Sequence, residues 1–204
     1  MSVPASLRIR PALASDSLLA AQVFYMSMGG LADHLFENSE TPISSIFDEL
    51  FQRDAGRFGR TISVVAEMDG QPLGMLVSCS GARLNWLNVK SFRHFFPVLG
   101  FKGALNFMLR GINLPGGVEA MRDEYYLSNL GILPAAQGRG IGSHLLQYAE
   151  AQAKKERLSK CSLIVGLHNP NAFRLYQRSG YEVVETVHDK NENLGYHRMV
   201  KSLS

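Results

Sequence analysis

The segment that most restricts this chain is 130–146. A short apolar run and a proline lead into Gln137-Gly138-Arg139-Gly140-Ile141-Gly142, which opens a long stretch of helical spacing. Strand, turn, glycine-rich loop and helix in that order make an anion trap. Glycines let the backbone come close to a phosphate, and the free N–H groups of a first helical turn point at it, aided by the helix dipole. Spacing excludes two common versions. A P-loop needs Gly-Lys-Ser/Thr after its second glycine, and no lysine follows here before Lys154. A dinucleotide fingerprint needs Gly-x-Gly-x-x-Gly, but counted from Gly138 and Gly140 its last position is Ser143.

The rest of the chain alternates strand and helix patterns. Residues 7–10 alternate apolar and charged and read as a first strand. Ser15 or Asp16 can cap a helix to about Met28, with Leu18, Leu19, Val23 and Met26 at helical spacing and Gly29-Gly30 at its end. A second helix is expected over about 43–57, burying Ile43, Ile46, Phe47, Leu50 and Phe51. The apolar runs 62–68 and 72–80 flank Asp69-Gly70, a strong hairpin signal. Runs 126–133 and 161–167 read as strands, with a helix over about 140–157 between them. A shorter helix (about 171–179) and strands at 181–187 and about 196–201 complete the order. The pattern is β-α-α-β-β, an interruption, then β-α-β-α-β-β.

Gln137-x-x-Gly140-x-Gly142 resembles the pyrophosphate loop of the GNAT superfamily of N-acetyltransferases, and Leu130-x-Ile132-x-Pro134 resembles the strand end that precedes it there. Asn169-x-x-Ala172-x-x-x-Tyr176-x-x-x-Gly180-Tyr181 is similar to the family's second signature, at the matching distance. The match is close over about residues 125–187 and looser before them. The resemblance implies an α+β fold in three α/β/α layers. Its twisted, mixed, mostly antiparallel sheet would have about seven strands, with a V-shaped splay between strands 4 and 5. It also implies an N-acetyltransferase with acetyl-CoA as co-substrate and no metal. Backbone groups of Leu130 and Ile132 would then pair with the pantetheine arm as a missing strand would. Gln137 and the amides of Gly138, Arg139, Gly140, Ile141, Gly142 and Ser143 would hold the pyrophosphate, with charge from Arg139. Asn169 would touch the arm from the other side.

By the same resemblance Tyr176 is the general acid for the departing thiolate. A phenol of pKa about 10 beside a thiol of about 8.5 can share a proton at low cost. The acceptor must be a neutral amine to attack. Deprotonation at pH 7 costs about 4.6 kcal/mol for a lysine-like amine and about 1 kcal/mol for an α-amine. Many relatives carry a glutamate on the strand before the loop, whereas the middle of that strand here is Ser128-Asn129-Leu130. Glu124 is the nearest acid and the candidate base, with Glu67 and His168 as others. Residues 33–54 hold Asp33, Glu37, Glu40, Asp48, Glu49 and Asp54 against Arg53, which suits either a cationic acceptor or a solvated helix face.

With 204 residues, 46% of them hydrophobic and a net charge of +3, one domain with a sizeable core is expected, and nucleic acid is not demanded. Cys79 and Cys161 sit far apart in apolar runs, without disulfide or zinc-ligand spacing. The start MSVPASLRIR lacks a leader pattern and no run is long enough to span a membrane, so a cytoplasmic location is expected. The interruption, about 83–122, is an insertion rich in phenylalanine (Phe92, Phe95, Phe96, Phe101, Phe107). From Arg83 to Val118 it carries Arg83, Lys90, Arg93, Lys102 and Arg110 and no acidic residue. Two short helices parted by Pro97 and Gly100 would suit it, as a packed cap, a substrate lid, a homodimer contact or a surface for anions or membrane. The expected activity is acetyl transfer from acetyl-CoA to a primary amine by direct attack. The alternative is a non-catalytic module that senses acyl-CoA or binds a partner. A nucleic-acid-binding reading rests on the basic insertion alone.

Overall fold

Asp69 and Gly70 adopt positive φ angles of 52° and 75°, the geometry a two-residue hairpin turn requires. They join β2 (Ser63–Met68) to β3 (Gln71–Ser80) in a computed structural model that describes residues 7–114 and 116–203. Residues 1–6, which the leader reading included, lie outside the described set. With β1 (Arg8–Pro11), β4 (Glu124–Ile132), β5 (Lys160–Gly166), β6 (Glu182–Val187) and β7 (Tyr196–Ser202), the hairpin forms a seven-stranded sheet in the order β1-β2-β3-β4-β5-β7-β6. Every neighbouring pair is antiparallel except β4 and β5, which run parallel.

Helices cover both faces and give three layers. On one side α1 (Ser17–Met28), α2 (Gly30–Leu35), α3 (Ile43–Gln52) and α4 (Gly81–Ile112) bury Phe24, Phe47, Leu50 and Leu87 with Val65, Met75, Val77 and Tyr126 of the sheet. On the other, α5 (Ile141–Lys155) and α6 (Pro170–Arg178) bury Ile141, Leu145, Leu146 and Tyr176 with Leu76, Leu127, Leu163 and Met199.

Several local expectations shift. In α1 the buried face is Leu19, Ala20, Val23 and Phe24, while Leu18 and Met26 are exposed. The helix is turned by Phe24, whose ring lies 5.4 Å from Phe47 and 5.2 Å from Phe58, so aromatic packing selects the face. A further short helix, α2, starts immediately at Gly30. The helix expected to reach residue 57 stops at Gln52, because Asp54 and Gly56 take positive φ (52° and 57°) and turn the chain into a 3-10 segment, Gly56–Phe58.

The insertion is one helical run broken at Gly100 (φ 68°, ψ 174°), with Pro97 still inside the helix. Its inner side is core: Phe95 stacks 4.2 Å from Phe107 and reaches Phe58 at 6.1 Å. Gly56 receives it. A side chain there would run into the Leu87 carbonyl, and Ser91 Oγ, which accepts from Arg57 N at 2.8 Å, donates to Ala55 O.

Candidate functional site

The strands β4 and β5 are paired only from Glu124–Lys160 to Leu127–Leu163. Beyond that β4 continues against β3 to Ile132, and β5 continues against β7 to Gly166. The two strands therefore part, leaving a wedge between 128–132 and 164–166. The residue where they part is a bulge: Asn129 faces Val77 and Leu127 faces Ser78, so Ser128 has no partner on β3.

The hydrogen-bond parity of β4 fixes which amides face the wedge. Leu133 N–H donates to Leu73 O at 2.9 Å, on the β3 side. Alternation then puts residues 129 and 131 on β3 and turns the backbone groups of Leu130 and Ile132 toward the gap. Gln137 Nε2 reaches back to Ile132 O at 3.1 Å, as that orientation allows.

The glycine loop follows directly. Gly138 and Gly140 hold φ of 76° and 78°, a left-handed geometry that glycine adopts without strain. Open space lies around both, apart from His144 Nδ1 4.0 Å from where a Cβ would sit at Gly140. Gly140 is the N-cap of α5 and no side chain caps it. Among the described residues, the amides of Gly138 to Ser143 have no protein acceptor. Gly142 serves packing instead, since a side chain there would press on Leu175 of α6 at 3.0 Å. Arg139 is exposed and rests against Met68 Sδ at 2.9 Å.

Asn169 caps α6, its Oδ1 accepting from Ala172 N at 3.1 Å, so its carbonyl oxygen serves the helix and its amide nitrogen is left to face outward contacts. Tyr176, on the last turn of α6, is buried on the α5 side of the sheet, and its hydroxyl has no partner among the described residues. Burial pushes its pKa up to about 12. The thiols of Cys79 and Cys161, buried and unpaired, are pushed up by burial to about 11 and about 12.

The acids singled out from sequence take structural positions. Glu124 lies at the paired end of β4, buried, with Arg198 Nη2 at 2.6 Å from Oε1 and 2.5 Å from Oε2 and Met121 N at 2.9 Å. A carboxylate so enclosed neither faces the wedge nor has a free lone pair aimed into it. Glu67 accepts from Arg10 at the β1–β2 edge (2.6 Å), and His168 is an exposed residue beyond β5. Of the acids of 33–54, Glu37 pairs with Arg110, Glu49 with Arg53, and Asp54 with Thr61 and Lys90.

Sequence reasoning missed a polar network at the bulge. Arg57 holds Glu119 in a fork, Nη1 to Oε1 at 2.8 Å and Nη2 to Oε2 at 2.6 Å, and reaches Ser128 Oγ at 3.3 Å. Tyr126 donates to Glu119 at 2.9 Å under the Arg57 guanidinium, whose Cζ lies 6.0 Å from the ring centre. Asn129 continues the chain, accepting from Ser128 and donating to Ser27 of α1. Burial opposes ionisation of Glu119, but Arg57 and the Tyr126 hydroxyl outweigh it and hold the carboxyl below its usual range. The one sequence signal was that Glu119 is the first acid after Asp69 and closes the acid-free insertion.

This network and Tyr176 lie on opposite faces of the sheet. A sheet that splays beside an uncapped glycine loop makes a cleft suited to an extended ligand that carries phosphate. The profile of the acetyltransferase (GNAT) family matches residues 31–181, and the chain belongs to that family. Its structure is similar over 97% of its length to all of a solved acetyltransferase, at TM-score 0.69 and 23% identity. It is similar over 95% to 99% of an N-acetyltransferase from Staphylococcus aureus Mu50, at TM-score 0.70 and 22% identity. The PaiA N-acetyltransferase from Thermoplasma acidophilum, solved in complex with coenzyme A, matches 97% of the chain with 99% of its own, at TM-score 0.58 and 18% identity. These likenesses establish the fold. No curated protein matches the sequence significantly.

Proposed function

We propose that the protein transfers an acetyl group from acetyl-CoA to a primary amine by direct attack. The observation that carries this reading is the continuity of two sets of open backbone groups. The backbone groups of Leu130 and the Ile132 N–H face the wedge, the Ile132 carbonyl being taken by Gln137 Nε2, and the amides from Gly138 to Ser143 lack a protein acceptor at the start of α5 among the described residues. An extended amide-bearing arm fits the first and a pyrophosphate fits the second, so the residues present suit the co-substrate. Gln137 and Arg139 flank the phosphate position, and Asn169 borders the arm from the β5 side.

Acetyl-CoA supplies the thioester. The protein's part is to hold that arm between β4 and β5, admit the amine from the α1 face and keep a proton ready on the α5 face. Tyr176 Oη, held protonated by burial, is the proton donor to the departing thiolate. With its pKa at about 12 against about 8.5 for a thiol, the transfer is uphill by about 5 kcal/mol unless the bound thiolate is itself desolvated. Glu119, ionised at neutral pH, is forked by Arg57 and bonded by Tyr126, so it neutralises the Arg57 cation that would otherwise repel a cationic amine at the bulge. Its depressed pKa makes it a weak base, and Glu124 is enclosed by Arg198. The proton therefore leaves the amine for solvent, which favours acceptors whose pKa lies near neutrality. With both cysteines held as thiols, a covalent acyl-enzyme route has no ready nucleophile.

The first test is calorimetric titration with acetyl-CoA, expected to give one-to-one binding, followed by amine-dependent release of free thiol. The lack of a carboxylate in Ser128-Asn129-Leu130, the middle of β4, favours a second reading, a module that senses acyl-CoA without turnover. Tight binding with no thiol release over a broad amine panel would select it.

A further inference from the structure

Helix α4 is apolar on both sides. Leu84, Leu87, Phe95 and Val98 enter the core, yet the opposite side exposes Trp86 (58%) and Phe96 (38%) before the Gly100 break and Phe101 (75%), Leu105 (39%), Leu109 (49%) and Ile112 (72%) after it. Spacings of four, four and three residues put the last group on a single stripe. The two halves form a continuous surface, because the Phe96 ring lies 6.1 Å from Phe101 across the break and 5.1 Å from Phe92. A helix apolar all round is normally covered all round, and scattered exposed side chains would not line up in this way.

Charge indicates what covers it. The helix carries Arg83, Lys90, Arg93, Lys102 and Arg110 and no acidic residue. Lys90 is paired with Asp54 and Arg110 with Glu37, whereas Arg83, Arg93 and Lys102 make no ion pair among the described residues. A second copy laid face to face on this stripe would bring like charges together. A sheet of lipid headgroups would match both properties at once: anionic phosphates for the cations and an acyl boundary for the aromatic and aliphatic side chains. No described helix is long and apolar enough to cross a membrane, so the geometry is that of a helix lying in the interface.

We infer that the outer face of α4 docks the protein on an anionic membrane surface, with Trp86, Phe96, Phe101 and Leu105 inserted and Arg93 and Lys102 at headgroup level.

The chain has a single tryptophan, Trp86, and it lies on this face, so its fluorescence reports docking directly. Vesicles of phosphatidylcholine with phosphatidylglycerol should shift its emission to shorter wavelength and carry the protein down on sedimentation. Added salt should release it. Phe101→Asp should abolish binding, and Arg93→Ala with Lys102→Ala should weaken it by about tenfold or more. Far-UV circular dichroism and acetyl-CoA titration check that each variant is folded. If Phe101→Asp does not fold, the cation pair variant decides alone. Absence of a shift and of sedimentation, or equal binding to phosphatidylcholine alone, would overturn the assignment. So would a concentration-dependent shift in plain buffer accompanied by dimer in analytical ultracentrifugation, which would make the stripe a contact between copies.

Discussion

Glu124 is the acid nearest the site in sequence and the one least able to act there, and a single substitution separates the two roles. Glu124→Gln keeps the shape and removes the charge. The Arg198 guanidinium, 7% exposed, then loses its one anionic partner among the described residues, and one of the two acceptors that serve Arg198 Nη2 and Met121 N becomes a donor. Breaking a buried ion pair from one side costs about 3–5 kcal/mol, against a total stability of about 5–15 kcal/mol. For a domain of this size that lowers the melting midpoint by about 6–20 °C.

The double variant Glu124→Leu, Arg198→Met removes both charges and also the buried Arg198 Nε that has no partner. It should recover most of the loss, remaining about 1 kcal/mol below the parent for the acceptor that Met121 N–H no longer has. Urea melts read by far-UV circular dichroism measure all three proteins. Thiol release from acetyl-CoA, assayed well below the midpoint, should be close to normal in Glu124→Gln. A single variant as stable as the parent, or a double variant no better than the single, would refute the ion-pair argument. Normal stability with turnover lost would return Glu124 to the chemistry.

Gly140→Glu places a carboxylate and a side chain at φ 78° against the phosphate position, and should abolish acetyl-CoA binding in calorimetry; unchanged affinity in a folded variant would remove the loop from the site. Tyr176→Phe should leave the dissociation constant of acetyl-CoA unchanged and lower turnover about a hundredfold. Because the folded pKa of Tyr176 is raised to about 12, its burial stabilises the protein below pH 10 or so and that contribution fades as pH rises further, which alkaline melts of parent and variant would reveal. Glu119→Gln should raise KM for a cationic amine about tenfold without altering acetyl-CoA affinity. Since Glu119 titrates below its unfolded value, its pairing with Arg57 stabilises the fold above the carboxylate range and is lost as pH falls through the folded pKa; an acid melt unaffected by the substitution would contradict this.

What could be read along the chain follows from local geometry. Asp69-Gly70 reads as a turn, and the glycines of 138–142 mark a loop whose backbone can approach an anion, because those residue types tolerate the conformations found at Asp69, Gly70, Gly138 and Gly140. The stripe Ile46, Phe47, Leu50 and Phe51 had to face inward because its spacing matches the helical turn. Two signatures at fixed spacing then carried the family and the sheet with its splay.

The tertiary structure alone decided which side chains meet. Arg57 finds Glu119 across 62 positions and Glu124 finds Arg198 across 74, and no periodicity marks either pairing. The orientation of α1 depended on Phe24 meeting rings from α3 and from the Gly56–Phe58 turn. The bulge at Ser128, where the polar network meets β4, depends on register with β3 rather than on any residue type in β4. Backbone conformation is set mainly by each residue and its immediate neighbours, so it is written locally. Charge partnership and burial depend on where distant segments come together, and that is fixed only once the sheet has closed its order.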